Sequence, residues 1–184
     1  MKRKNWPLRI ACACLFLILS AMVMLSIYTL SSEDNITSGN RSHTVTEALK
    51  QEVTQQLENT PEGMALSQFI QSKIIQYSPY GSDWHMNVRK VGHFTIYFAL
   101  ATMTYITLAI LGVNKFFRIV LILAFCGCFA YYDEVHQSMV DGRVMSYLDM
   151  IVDMSGAFIS VALLTAISVL YSLMAWISKA IFEH

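Results

Sequence analysis

Four apolar stretches, each free or nearly free of charge, constrain this 184-residue chain more than any other feature. The first covers 10–30 without a charged residue, close to the ~20 residues a helix needs to cross ~30 Å of hydrocarbon. Two more cover 94–113 and 116–132, separated by a turn around Asn114 and Lys115 that predicts a tight hairpin. The fourth is expected over 146–177, because Ser146 and Asp149 have the Ser-x-x-Asp spacing of a helix cap. A bilayer offers no water to unpaired backbone groups, so these runs read as helices. The expectation is an all-α membrane protein: a single-domain bundle of four transmembrane helices. Composition agrees, with 55% hydrophobic and only 14% charged residues and a mean hydropathy of +0.46.

Orientation follows from the short basic segments. Lys2, Arg3, Lys4 and Arg9 precede the first span, Lys115 and Arg118 flank the hairpin turn, and Lys179 follows the fourth span. The positive-inside rule then puts both termini in the cytoplasm and the segments 31–90 and 133–145 outside, with Arg89 and Lys90 as the dissent. The basic start also resembles a secretory signal, but the apolar run is long and no Ala-x-Ala site precedes Ser31, so an uncleaved anchor is expected. The outer segment predicts two short amphipathic helices over about 43–77. Val45, Leu49, Val53 and Leu57 recur at helical spacing, and Met64, Leu66, Phe69, Ile70, Ile74 and Ile75 repeat the pattern after Pro61. They would cap the outer mouth of the bundle or lie in the interface.

Several function classes drop out. Thirteen basic residues against thirteen acidic ones give no field for nucleic acid. Cys12, Cys14, Cys126 and Cys128 all lie in apolar runs and read as small buried hydrophobes. No metal or other cofactor is expected. A channel would need an oligomer, since the inner halves of the spans read as uniformly apolar.

The ionisable residues at the outer ends of the spans are the informative ones, because charge in a membrane helix is costly unless it is satisfied or used. Arg89, Lys90, His93 and Tyr97 open the second span, and the spacing of His93 and Tyr97 puts them on one helical face. Asp133, Glu134, His136 and Gln137 end the third. Asp133 and Gln137 share a face, whereas the adjacent acids are expected to diverge, one toward the bundle and one toward the headgroups; His136 is expected to be solvated. Asp141, Gly142 and Arg143 then lead to Asp149, Asp153, Gly156 and Ser160, which form one stripe along the fourth helix, with Gly156 permitting close approach of a neighbour. An ion pair of Arg143 with Asp149, Glu134 or Asp133 is expected. All three groups fall at one membrane level.

At these positions the chain resembles the VanZ-like family of bacterial membrane proteins. The resemblance rests on 89–100 (Arg-Lys-Val-Gly-His-Phe-Thr-Ile-Tyr-Phe-Ala-Leu), Asp133-Glu134-x-x-Gln137, Gly142-Arg143, and Asp149-x-x-x-Asp153-x-x-Gly156-Ala157, with Leu30-Ser31-Ser32 after the first span. Asp141 stands where many members have proline, and Asp153 where asparagine is common. The resemblance implies a multi-pass protein of the bacterial cell envelope associated with low-level resistance to the glycopeptide teicoplanin.

Two functional readings follow. In the first, the protein is not an enzyme: it binds a membrane lipid, a lipid-linked wall precursor or a lipoglycopeptide at its outer mouth. The site candidates are Arg89, His93, Tyr97, Asp133, Glu134, Gln137, Arg143, Asp149 and Asp153, with Arg143 and Arg89 meeting a phosphate or carboxylate. In the second, His93, Glu134 and Asp149 supply acid and base groups to a membrane-embedded hydrolase or transferase. No nucleophile elbow, His-Glu-x-x-His or phosphate-binding glycine loop supports the second reading.

Overall fold

Helix formation follows the apolar runs but overshoots them at nearly every polar end. The computed structural model describes residues 6–57, 59–78 and 80–182; the basic residues Lys2, Arg3 and Lys4, and the side chain of Leu57, lie outside that set. Six helices form, α1 (Trp6–Ser31), α2 (Asn35–Leu57), α3 (Pro61–Tyr77), α4 (Trp84–Ile110), α5 (Lys115–Gln137) and α6 (Tyr147–Phe182), with no strand among the described residues. Four of them, α1, α4, α5 and α6, are long and apolar enough to cross a membrane. Their outward faces carry exposed residues such as Leu17, Met22, Phe117, Leu121, Ile159 and Leu170, a surface that water would not tolerate and hydrocarbon would.

Local chemistry sets the helix ends. Asp34 accepts from the backbone N–H of Thr37 at 2.7 Å and starts α2 well before the periodic residues that predicted it. Thr60 accepts from Gly63 ahead of Pro61, which takes the first-turn position where its missing N–H costs nothing. Asp83 caps α4 through the N–H of Met86, so this helix begins ten residues before the apolar run and takes Arg89, Lys90 and His93 into its first turns. Asn114 caps α5. Ser146 receives the N–H of Asp149 at 3.3 Å and returns its hydroxyl to that carboxylate at 2.9 Å, closing the cap at the head of α6.

Helix α4 is the centre of the bundle and touches α1, α2, α5 and α6. Its contact with α6 is the most extensive, and the two helices run in the same direction: Lys90 meets Asp149, His93 meets Asp153, and Thr102 shares a 2.8 Å hydrogen bond with Ser160. Gly156 makes this approach possible, since a Cβ there would lie 2.2 Å from the carbonyl oxygen of Phe94. Below this seam Ile27, Tyr97, Leu100, Tyr105, Ile122, Cys126, Ala130, Ala157 and Val161 form the apolar core. The expectation for the cysteines holds only for Cys126; Cys14 and Cys128 are exposed on outward helix faces.

The acids gather at one end of the bundle and Arg9, Lys115 and Arg118 at the other. Arg9 donates to the carbonyl of Ile110 at 2.5 Å, and Lys115 reaches the carbonyl of Ser168 and the hydroxyl of Ser172. Arg9 sits where the unpaired carbonyls at the end of α4 carry partial negative charge, whereas Lys115 meets a carbonyl in the interior of α6. The basic end is not purely apolar, as the sequence implied: Arg118 is buried, donates to Val113 and lies 4.8 Å over the ring of Tyr105.

Candidate functional site

Three helices deliver their polar residues to the acidic end, where two hydrogen-bonded chains and one isolated pair form. In the first chain the guanidinium of Arg143 donates to the side-chain oxygen of Gln137, whose amide donates at 2.8 Å to Asp133. Arg143 also donates to the backbone carbonyls of Ser31 and Glu33, at 3.4 and 3.3 Å, where α1 ends. Gly142, at φ 74°, supplies the left-handed turn that aims Arg143 back at α1. The expected ion pair of Arg143 with Asp149, Glu134 or Asp133 is therefore absent among the described residues, because this turn gives the guanidinium to the end of α1 and to Gln137. Burial disfavours its charge and acts to lower its pKa, with the positive charge of Arg89 acting in the same sense.

In the second chain Glu134 accepts the backbone N–H of Ser146 at 2.7 Å, Ser146 bonds Asp149, and Asp149 forms an ion pair with Lys90. Lys90 and Asp149 are both buried, and the Lys90 ammonium lies 5.5 Å over the ring of Tyr80. Lys90 thus takes one of the carboxylates, Asp149, that charge-based reasoning gave to Arg143. The isolated pair is His93 and Asp153, with Nδ1 3.2 Å from Oδ1; the second carboxylate oxygen of Asp153 is buried without a partner.

Two further expectations change. Asp133 and Glu134 are both buried, at 2% and 0% exposure. Consecutive residues point about 100° apart on a helix, and α5 is flanked by α1, α4 and α6, so Asp133 faces the α1–α4 side while Glu134 faces the head of α6. His136 is not solvated but stacks on Tyr28, ring centroids 4.5 Å apart. Tyr97, one turn below His93, is fully buried, and its hydroxyl has no partner.

A cavity of about 210 Å³ opens beside these residues, walled by α1, α2, α4, α5 and the turn before α6. His93, Asp133, Gln137 and Arg143 line it together with Arg89 and Gly92. Helix α2 contributes Ser38, Arg41 and Ser42, and Ile27, Leu30 and Ile96 close the apolar side. Arg41 is paired with Glu33, whereas Arg89 has no carboxylate within 4.0 Å among the described residues. On the other side of α4 a wider groove of about 990 Å³ runs between α2–α3 and α4–α6, lined mainly by apolar residues including Leu49, Ile70, Ile74, Val91 and Phe94. Val88 lines both.

A family model matches residues 16–171 under the description VanZ/LLP1, which is most of the chain. The chain belongs to the VanZ/LLP1 family. Comparison with curated proteins and with solved structures gave no match. Every residue on which the resemblance rested lies inside the matched region, so this multi-pass VanZ/LLP1 membrane protein carries its clustered polar residues in the part that makes it a member. Sequence reasoning missed the α2 wall (Ser38, Arg41 and Ser42). Its one signal was Asp34, an N-cap residue three positions before Thr37.

Two groups among the described residues bring histidine and carboxylate ligand atoms within 4.8 Å of one another. One is His93, Asp133 and Asp153, buried or half-buried and drawn from three helices; the other is His43, Glu47 and His85, where α2 crosses the start of α4. The first bears on the expectation of no metal, which rested on short-range cysteine spacing and had no means of seeing ligands 40 and 20 positions apart.

Proposed function

We propose that the protein sits in a bacterial cell membrane with both termini in the cytoplasm, and that its acidic end, facing outward, binds the anionic headgroup of an envelope lipid or lipid-linked wall precursor. The observation that carries this reading is the cavity at that end: polar residues and three arginines on one side, aliphatic side chains on the other, and Arg89 without a carboxylate partner among the described residues. A guanidinium left free of carboxylates in a half-buried site suits a phosphate or carboxylate from elsewhere. Arg143 belongs to the scaffold of that site through Gln137 and the end of α1. The apolar groove across α4 suits the chain of the same lipid. Arg9, Lys115 and Arg118 at the opposite end support a cytoplasmic placement of that end by the positive-inside rule.

The hydrolase or transferase reading gains nothing from the geometry. Its three groups are committed separately: His93 to Asp153, Glu134 to the N–H of Ser146, and Asp149 to Lys90. In this reading a lower susceptibility to teicoplanin comes from occupancy of an envelope ligand rather than from chemistry on the drug. The test is Arg89→Gln at matched membrane abundance in cells that depend on this protein for their teicoplanin tolerance. The variant is expected to restore susceptibility; unchanged tolerance removes Arg89 from the ligand site.

A further inference from the structure

The buried polar cluster has an imbalance that side chains alone do not correct. Asp133, Glu134, Asp149 and Asp153 are all 5% exposed or less, and among the described residues Lys90 pairs with Asp149 and Arg143 serves Gln137 and the end of α1, leaving His93 as the basic group beside Asp153. Isolated buried carboxylates are costly, so a second positive group near Asp133 and Asp153 has a clear electrostatic role.

We infer that His93, Asp133 and Asp153 hold a divalent first-row transition-metal ion of the zinc class. Three observations carry this. The ligand atoms of the three residues lie within 4.8 Å of one another, delivered by α4, α5 and α6. His93 Nδ1 and Asp153 Oδ1 stand 3.2 Å apart, close to the roughly 3.3–3.6 Å that separates two ligands of one tetrahedral ion at bond lengths of about 2.0–2.2 Å. Asp153, fully buried, keeps a carboxylate oxygen with no partner in the protein.

The surroundings resemble a supported metal site. The amide of Gln137 donates to Asp133, and Arg143 fixes that glutamine, so one ligand is oriented by a further pair of hydrogen-bonded groups. One imidazole with two carboxylates suits Zn²⁺, Mn²⁺ or Fe²⁺ and disfavours a soft copper(I) ion. Three protein ligands leave a fourth position open. Because His93 and Asp133 line the cavity, that position is reached from the space beside Arg89. The ion neutralises two carboxylates and leaves Arg89 free to meet an anionic headgroup. The inference deepens the lipid-binding reading by rooting it in the same site, yet it is tested without any lipid.

Purified full-length protein in detergent is stripped with a chelator, loaded with Zn²⁺, desalted and assayed for zinc by mass spectrometry, beside Asp153→Asn, His93→Gln, Arg89→Gln and His43→Ala. Wild type, Arg89→Gln and His43→Ala are expected to hold about one zinc per chain. Asp153→Asn and His93→Gln are expected to bind at least about tenfold more weakly. Substoichiometric zinc in the wild type overturns the inference, and so does wild-type occupancy in both ligand variants, above all if His43→Ala alone loses the metal. Should either ligand variant fail to elute as a folded species, Co²⁺ loading of the wild type decides: a visible d–d absorption supports the site and its absence overturns it. Zinc retained while anionic lipid is not bound defeats only the lipid reading; lipid bound without zinc defeats only this one.

Discussion

Gly156→Ala tests the seam that builds the site. The added methyl would lie 2.2 Å from the Phe94 carbonyl oxygen, with the carbonyl carbon and Cα of Phe94 at 3.0 and 3.2 Å. All three are backbone atoms, so no rotamer change relieves the clash, and α4 and α6 must part by about 1 Å. That movement stretches the 2.8 Å Thr102–Ser160 bond and the 3.2 Å His93–Asp153 contact, both across the same interface. Overpacking of this kind costs about 1–3 kcal/mol, and one lost hydrogen bond adds about 0.5–1.5 kcal/mol. For a chain of this size the sum corresponds to a fall in Tm of roughly 3–18 °C. Thermal unfolding in a fixed detergent, followed by tryptophan fluorescence, reads it. The internal comparison is Gly92→Ala, on the same level of α4, where an added Cβ meets nothing within 4 Å; it is expected to stabilise by about 0.5–1 kcal/mol through helix propensity. If both variants melt at the wild-type temperature, the close contact of α4 with α6 is not what holds this end of the bundle together.

The Lys90–Asp149 pair gives a second prediction: Lys90→Met strands a buried carboxylate and costs about 3–5 kcal/mol, while Lys90→Met with Asp149→Leu recovers most of that loss. A double-mutant cycle on unfolding checks it, and additive single effects would contradict the pair. Orientation is read in a background lacking all four cysteines: Asp141→Cys is expected to react with an impermeant maleimide on intact cells and Leu111→Cys only after permeabilisation, since these loops lie at opposite ends of the bundle. The reverse pattern inverts the proposed topology.

The spans were legible because an apolar run must be satisfied by its own backbone, a rule needing no tertiary knowledge. The early start of α4 was not, since its first turns are polar and are held by Asp83 locally and by Asp149 from 59 positions away. The convergence of His93, Asp133, Gln137 and Asp153 was readable from topology alone, as alternating spans bring their outer ends to one level. Pairing within that cluster was not. Charge complementarity favoured Arg143 with an acid, whereas the Gly142 turn sets the direction of its side chain and Lys90 occupies the carboxylate. Asp133 and Glu134 diverge as expected, but neither reaches the headgroups, because α5 has neighbours on both sides and buries both. Gly156 was the most informative residue: a small side chain in the polar stripe announced the close approach that the Phe94 backbone makes.

The central claim, that the cavity beside Arg89 binds an anionic lipid headgroup, is most directly tested by native mass spectrometry of the detergent-purified protein titrated with phosphatidylglycerol and with phosphatidylcholine. The account predicts that phosphatidylglycerol is retained in preference to phosphatidylcholine by the wild type, and that Arg89→Gln abolishes the preference while leaving the fold and Tm intact. Equal retention of the two lipids, or a preference that survives Arg89→Gln unchanged, would contradict it.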